Sequence, residues 1–464
     1  MVHDVNTQPR GDGASADDLL IDAASRARRY MAMLPERAVA PSSQALERLA
    51  RLGGPLPPAP VDPAAVLAQL DELVSPATMA MAGPRFFGFV IGGALPVSVA
   101  ASWLATAWDQ NTGLYTATPG TAELEAVALR WLLELLDLPR DAAGAFVTGA
   151  TVANLTALAA ARHRVLADAG WSVEADGLFG APPITVIVGE EAHTTLFKAL
   201  GVLGLGRARV QRVPVDSQGR MRADALPPIA GPAILCMQAG NVNSGAFDPF
   251  GELIARAHEA GAWVHVDGAF GLWARASQQY APLAQGLELA DSWATDAHKW
   301  LNVPYDCGLA FVRDAGALRA AMAVTAEYLP TSDQRNPSDF TPELSRRARG
   351  VETWAVIASL GRSGIAALVE RCCRHAARFA EGLAAGGHEI LNDVVLNQVL
   401  VSFGTPERTR AVIEAIQNEG TCWCGVTVWQ GRTAMRISVC SWATTEADVD
   451  ASVAAMLRVR DEVL

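Results

Sequence analysis

Trp263-Val264-His265-Val266-Asp267-Gly268-Ala269-Phe270 is an apolar run that ends in an acid, and downstream of it Asp296-Ala297-His298-Lys299-Trp300-Leu301 carries a lysine. The first stretch reads as a buried strand with Asp267 at its carboxyl end. Ionising an acid beside an apolar core has a cost unless a cation pairs with it. A His-Lys pair by itself is usually solvated surface, and a strand-end aspartate by itself is often a turn or a helix cap. Together they are what a pyridoxal phosphate enzyme requires. The lysine amine forms a Schiff base with the cofactor aldehyde, and the aspartate holds a proton on the pyridine nitrogen, so that the ring becomes an electron sink. Lys299 and Asp267 are therefore the expected catalytic pair, and pyridoxal 5'-phosphate the expected cofactor.

The surrounding chain fits an α/β fold. From about residue 143, short β-branched runs alternate with helical stretches. The candidate strands are Ala145–Thr148, Ile184–Val188, Ala233–Met237, Trp263–Val266, Ser292–Thr295 and Gly308–Val312. Continuous apolar strands separated by helices predict a mostly parallel sheet covered on both faces. Ahead of it, Asp17 to Met33 reads as an amphipathic helix, Gly53 to Pro60 as a linker or rigid extended turn, and 63–74, 95–109 and 121–137 as helices. Residues 1–16 read as disordered. A helical stretch near 350–385 leads to a last unit with strands at Gln398–Phe403, Val426–Trp429 and Met435–Val439. The expected domains are an N-terminal helical arm and linker over 1–74, a large cofactor-binding α/β domain over 75–349, and a connecting helix with a small C-terminal α+β domain over 350–464.

In open parallel sheets, ligands bind outside the carboxyl ends of the strands. Thr148, Glu190 to His193, Gly240 to Asn243, Asp267 and Asp296 to Lys299 all follow candidate strands, so they converge on one rim. Thr148-Gly149-Ala150-Thr151 is a small-residue turn opening a helix, a place where backbone N–H groups and a hydroxyl favour phosphate, although Thr151 also serves as an ordinary N-cap. A lone histidine after a strand is commonly structural, but the rim position of His193 suits a ring stacked on a flat cofactor. The turn around Asn241 is equally a plain loop or a site lining.

Composition narrows the function classes. The 464 residues are half hydrophobic, too many for one ordinary core. A net charge of −12 without a Lys/Arg cluster argues against nucleic acid or an anionic membrane as partner. The seven cysteines lack the spacing of a disulfide framework, and Cys372-Cys373 and Cys422-Trp423-Cys424 lack the companions of a zinc site, so buried thiols and no metal are expected. The polar N-terminus has no signal-peptide core and no stretch reads as a membrane span, which gives a cytoplasmic expectation. A protein that merely binds the cofactor would share these motifs; the presence of Lys299 and the lack of an appended DNA-binding pattern favour an enzyme.

The sequence resembles the group II pyridoxal-phosphate-dependent amino-acid decarboxylases, the family of aromatic amino acid, histidine and glutamate decarboxylases. Ser292-Trp293, Lys299-Trp300-Leu301 and Tyr305-Asp306-Cys307 resemble its lysine-site pattern. Trp263 to Ala269 resembles its aspartate strand, Thr148 to Arg162 its phosphate helix, and Asn111 to Glu125, with Pro119 and Glu123, an N-terminal segment that shapes the site. The resemblance implies a fold-type I architecture, an obligate homodimer with the site at the subunit interface, and an amino-acid substrate. By position it implies His193 stacked on one ring face and Ala269 packed on the other. Gly149, Ala150, Thr151 and His298 would lie about the phosphate, with Asn241 near the cofactor. Arg436 and the aromatic stretch Phe86, Phe87 and Phe89 would lie near the substrate; Arg436 suits a bidentate grip on a carboxylate.

One departure bears on the reaction. The family's decarboxylases carry a tyrosine on a mobile loop before the helix near Arg349, and it protonates the substrate α-carbon. Residues 329–349 contain no tyrosine. Tyr328 lies just before them and Phe340 is their only aromatic. The expected reaction is decarboxylation of an L-amino acid to the amine and carbon dioxide, with His193 or water as the alternative proton source. Aldehyde-forming oxidative deamination, transamination and carbon–carbon lyase chemistry stay open.

Overall fold

The computed structural model describes residues 15–324 and 334–463. Its central sheet has seven strands: β1 Ala143–Val147, β2 Thr185–Gly189, β3 Gln211–Val213, β4 Ala233–Gln238, β5 Trp263–Asp267, β6 Ser292–Asp296 and β7 Gly308–Val312. Their order is β1-β7-β6-β5-β4-β2-β3. The run from β6 to β3 is parallel, whereas β7 is antiparallel to both β1 and β6. The six expected strands are all present. The three-residue β3 was not expected, because only Val213 in it is buried and it carries no apolar run.

Side chains of this sheet alternate between two cores. Ile187, Leu235, Met237, Val264 and Val266 enter one; Val186, Val188, Ile234, Cys236 and Trp263 enter the other. Period-two alternation with both faces buried is why these strands read as unbroken apolar runs. Helices Ala150–Asp168, Thr194–Val202 and Ala315–Met322 cover the second face. Helix Phe250–Glu259 and the long helix Gly350–Ala385, broken at Gly361, cover the first.

The C-terminal sheet is antiparallel, in the order β10-β11-β9-β8, with β8 Glu389–Ile390, β9 Gln398–Ser402, β10 Gly425–Trp429 and β11 Arg432–Ser438. The two-residue β8 is too short to be signalled by pattern. At the other end, helix Ala16–Met33 starts at a Ser15/Asp18 capping box, and its Arg26 and Arg29 pair with Asp71 of helix Pro63–Leu73. The disorder expected for 1–16 falls outside the described residues, except for Ser15 and Ala16, which open this helix.

The stretch 334–349 corrects an expectation. It stands where the resemblance implies a mobile loop, but it is fastened to the edge of the sheet. Arg346 is fully buried, donating to Glu125 at 2.8 Å and to the carbonyls of Thr112 and Phe146 at 2.7 Å each. Arg335 reaches the same carboxylate at 3.3 Å and the Gly144 carbonyl at 2.6 Å. Polar composition signalled exposure, yet the arginines find a buried acid and free carbonyls on β1. Residues 329–333 of that loop, with Tyr328, lie outside the described residues.

Candidate active site

Strand β6 ends at Asp296, and the following turn brings the Lys299 amine back to it. Nζ lies 3.0 Å from the buried Asp296 Oδ2. His298 is fixed in the same turn. Its Nδ1 accepts the Cys307 N–H at 3.1 Å, which leaves the proton on Nε2, 3.5 Å from Asp296 Oδ1. Burial pushes the His298 imidazole below its ordinary pKa, with Asp296 opposing. The ring stacks on Tyr305 with centroids 4.2 Å apart.

Asn302 ties this turn to distant parts of the chain. Its Oδ1 accepts from Gly93 N at 2.7 Å and Trp442 N at 3.0 Å, and its Nδ2 donates to the carbonyls of Trp300 and Cys440. Its φ of 55° is a left-handed conformation that asparagine tolerates better than most residues. Gly92 passes so close to the lysine that a Cβ there would sit 1.8 Å from the Lys299 carbonyl oxygen.

Asp267 ends β5, one strand over, and is 5 % exposed. It accepts from Asn154 Nδ2 at 3.0 Å and from Ala269 N at 3.2 Å. His193 caps helix Thr194–Val202, its Nδ1 bonded to the Thr195 hydroxyl at 2.7 Å. Burial lowers the His193 pKa; Asp267 and Asp296 oppose this, and Lys299 and Arg436 add to it. The charges of Asp267, Asp296, Lys299 and Arg436 thus all act on one imidazole. Arg436, on β11, is lowered from its ordinary pKa by burial and donates only a long 3.4 Å bond to the Val242 carbonyl. Among the described residues, no acidic side chain pairs with it.

Other expected site residues lie elsewhere or are already engaged. The Asn241 amide is committed to its own loop, accepting from Asn243 N and Ser244 N and donating to Glu191 Oε2 at 2.9 Å. It supports the turn. Arg85, just before the aromatic stretch, pairs with Asp448 and donates to the Thr421 carbonyl. Phe86 and Phe87 are core, while Phe89 is 60 % exposed and stacks on Trp423.

On the phosphate side, Gly149 runs against β7. A Cβ on Gly308 would lie 2.4 Å from the Gly149 Cα, and a Cβ on Gly149 would lie 3.2 Å from His298. The helix Ala150–Asp168 begins there with Thr151 in its first turn, but the Ala150 N–H is already given to Asp296 at 2.6 Å. Asp296, Asn154, Asn302 and the two close-approach glycines Gly92 and Gly308 were missed as site residues. Asn154 and Asp296 stood inside the motifs quoted for their neighbours; the role of Asn302 depends on contacts 140 and 209 residues away.

These residues fit pyridoxal phosphate. A partly buried amine is held at a strand end, a buried carboxylate closes the neighbouring strand, an imidazole senses the charge of both, and bare glycine backbone leads to a helix N-terminus. All seven cysteines are buried thiols. Among the described residues no cluster of metal ligands forms, and no helix is long and apolar enough to cross a membrane.

Fold and site together define a fold-type I pyridoxal phosphate enzyme. The pattern of the pyridoxal-dependent decarboxylase conserved domain matches residues 54–405, and the chain belongs to that family. Tryptophan decarboxylase 1 of Oryza sativa subsp. japonica is 28 % identical over 432 residues, covering 84 % of this chain and 82 % of that protein. A phenylacetaldehyde synthase of Arabidopsis thaliana is 25 % identical over 418 residues, 83 % of each. The crystal structure of Oryza sativa tryptophan decarboxylase with pyridoxal phosphate and tryptamine superposes with a TM-score of 0.89 at 23 % identity, over 98 % of this chain and 99 % of that one.

Proposed function

We propose that the protein decarboxylates an L-amino acid to its amine. The observation that carries this reading is Arg436, a partly buried guanidinium with no acidic partner among the described residues, whose charge acts on the same imidazole as those of Lys299 and Asp267. A partly desolvated charge of this kind is costly until an anion meets it, and a substrate carboxylate supplies one with bidentate geometry. Bound pyridoxal phosphate supplies an electron sink for the pair left when the bond from Cα to the carboxylate breaks.

The chain's own residues divide the remaining work. Lys299 provides the amine that anchors the cofactor, and Asp296 at 3.0 Å holds or takes a proton at Nζ. Asp267 presents acceptor oxygens to the ring nitrogen. His193 would cover one face of the bound cofactor and Ala269 the other; burial lowers the His193 pKa, so the neutral imidazole is favoured and can pass a proton at Nε2. His298, Gly149, Ala150 and Thr151 would border the phosphate. Phe89, stacked on Trp423, shields the mouth from water. The enzyme acts as a cytoplasmic homodimer on a free amino acid, with the small C-terminal domain bringing Arg436 to the large domain's rim.

A second outcome has its own support. The described part of the loop, 334–349, has Phe340 and no tyrosine, and the Phe340 ring lies under the Arg335 guanidinium 4.5 Å away. A phenyl ring cannot deliver a proton, which favours an aldehyde product formed with oxygen. Mass spectrometry of products from the common amino acids, in air and with added cofactor, tests both readings. An amine lighter than its substrate by carbon dioxide establishes the first, an aldehyde the second, and a keto acid without release of carbon dioxide refutes both.

A further inference from the structure

Trp263, His265 and Asp267 alternate along β5, so all three face the helix Ala150–Asp168. A continuous chain of hydrogen bonds joins them through Asn154 and Ser292. Trp263 Nε1 lies 2.9 Å from Ser292 Oγ, and Ser292 Oγ lies 2.9 Å from His265 Nδ1. His265 Nε2 lies 2.8 Å from Asn154 Oδ1, and Asn154 Nδ2 lies 3.0 Å from Asp267 Oδ2. Asn154, His265 and Ser292 are wholly buried.

The polarity of this chain is forced. An ionised carboxylate only accepts, so Asn154 gives Asp267 its Nδ2–H and turns Oδ1 to His265 Nε2, which must donate. The neutral ring then accepts at Nδ1 from Ser292 Oγ, which itself accepts the indole N–H of Trp263. The reverse amide orientation would set a carbonyl oxygen against a carboxylate. Burial depresses the His265 pKa to about 3, so the ring is neutral and one tautomer serves. Asp267 Oδ1 takes the Ala269 N–H. Both carboxylate oxygens are thereby acceptors toward the protein, and among the described residues no group offers Asp267 a lone pair in return.

We infer that Trp263, Ser292, His265 and Asn154 are positioning residues that act through Asp267 to keep the proton on the pyridine nitrogen of bound pyridoxal phosphate. A carboxyl group that kept the proton would have to donate it, and Asn154 occupies one of its two oxygens with a donor of its own. The chain thus selects the arrangement in which the ring nitrogen donates and Asp267 accepts. A merely space-filling polar core would satisfy its members without this uniform direction. The inference rests on cofactor binding and not on which bond at Cα is broken.

The test is nitrogen NMR of the holoenzyme reconstituted with cofactor labelled at the ring nitrogen, with no substrate present. Wild type is expected to give a pyridinium signal at neutral pH. Asn154→Leu is expected to move it most of the way to the neutral-pyridine position while cofactor remains bound, and to cut kcat by about 10–100-fold with little change in KM, the range seen when an outer partner of a charged centre is removed. Ser292→Ala, the mildest change, is expected to give a smaller shift in the same direction, and it carries the test should Asn154→Leu fail to fold. Variants that bind cofactor and keep the wild-type pyridinium signal would overturn the inference, whatever happened to turnover.

Discussion

Asp267 and Phe89 were both expected at the site, yet one is 5 % exposed and the other 60 %. Around Asp267, each polar atom has a named partner on a strand, a helix or the turn that follows β5: Asn154, Ala269, His265 and Ser292. Around Phe89, the contacts are an aromatic stack on Trp423 and a left-handed backbone shared with Val90. The floor is fixed from within one sheet, whereas the mouth is assembled from an N-terminal segment and the C-terminal domain. Cofactor chemistry, common to the family, is written in the floor. Substrate choice and the fate of the carbanion belong to the mouth, and there relatives as different as a tryptophan decarboxylase and a phenylacetaldehyde synthase are similar to this chain alike.

Four substitutions sharpen or break this contrast. The largest effect belongs to the floor: Lys299→Ala should abolish the visible absorbance of bound cofactor and lower turnover on the order of 10⁴-fold or more. Retained turnover, followed by product formation, would contradict the division. Next comes the buried tie behind the rim. Arg346→Ala leaves Glu125 without its closest cation and should cost about 3–5 kcal/mol in chemical denaturation; a loss below 1 kcal/mol would mean that Arg335 alone can hold that carboxylate.

Acid should find the floor before the mouth. His265 has a folded pKa of about 3 against an ordinary 6.5. Its neutral burial contributes stability that is fully present above pH 6.5 and is lost as pH falls toward 3, at up to ~1.4 kcal/mol per unit. His265→Gln should flatten that slope in denaturation series run at several pH values; parallel slopes in the two proteins would remove histidine from the account. The smallest effect is expected at the sheet edge, where Phe340 packs. Phe340→Tyr should raise the ratio of amine to aldehyde severalfold with little change in total turnover. An unchanged ratio would mean that position 340 does not reach the reacting carbon.

Much of the floor was legible because its signals are local. Asp267 closes an apolar run, Lys299 follows the next strand's end, and His193 follows another, so strand ends alone placed them on one rim. The partners of Asp267 were legible in principle: His265 and Trp263 are the alternate residues of the same strand, and Asn154 stood in the quoted helix start. They went unread because a polar residue inside a strand looks like a break in pattern until its neighbour across the sheet is known. Asn302 and Glu125 were out of reach, since each gains its role from contacts with residues far away in sequence. Asn241 misled for the opposite reason. Its place after β4 suggested the site, while its amide is spent on the turn itself.

The Asn302 side chain also says something about how the enzyme comes into being. It joins Gly93, the lysine turn and Trp442, spanning 209 residues one way and 140 the other. Contacts that close such long loops form late and slowly. The reactive amine then reaches its final place only once both ends of the chain have docked, so a nascent or truncated chain ending near residue 405 would hold a formed sheet and an unfinished active site.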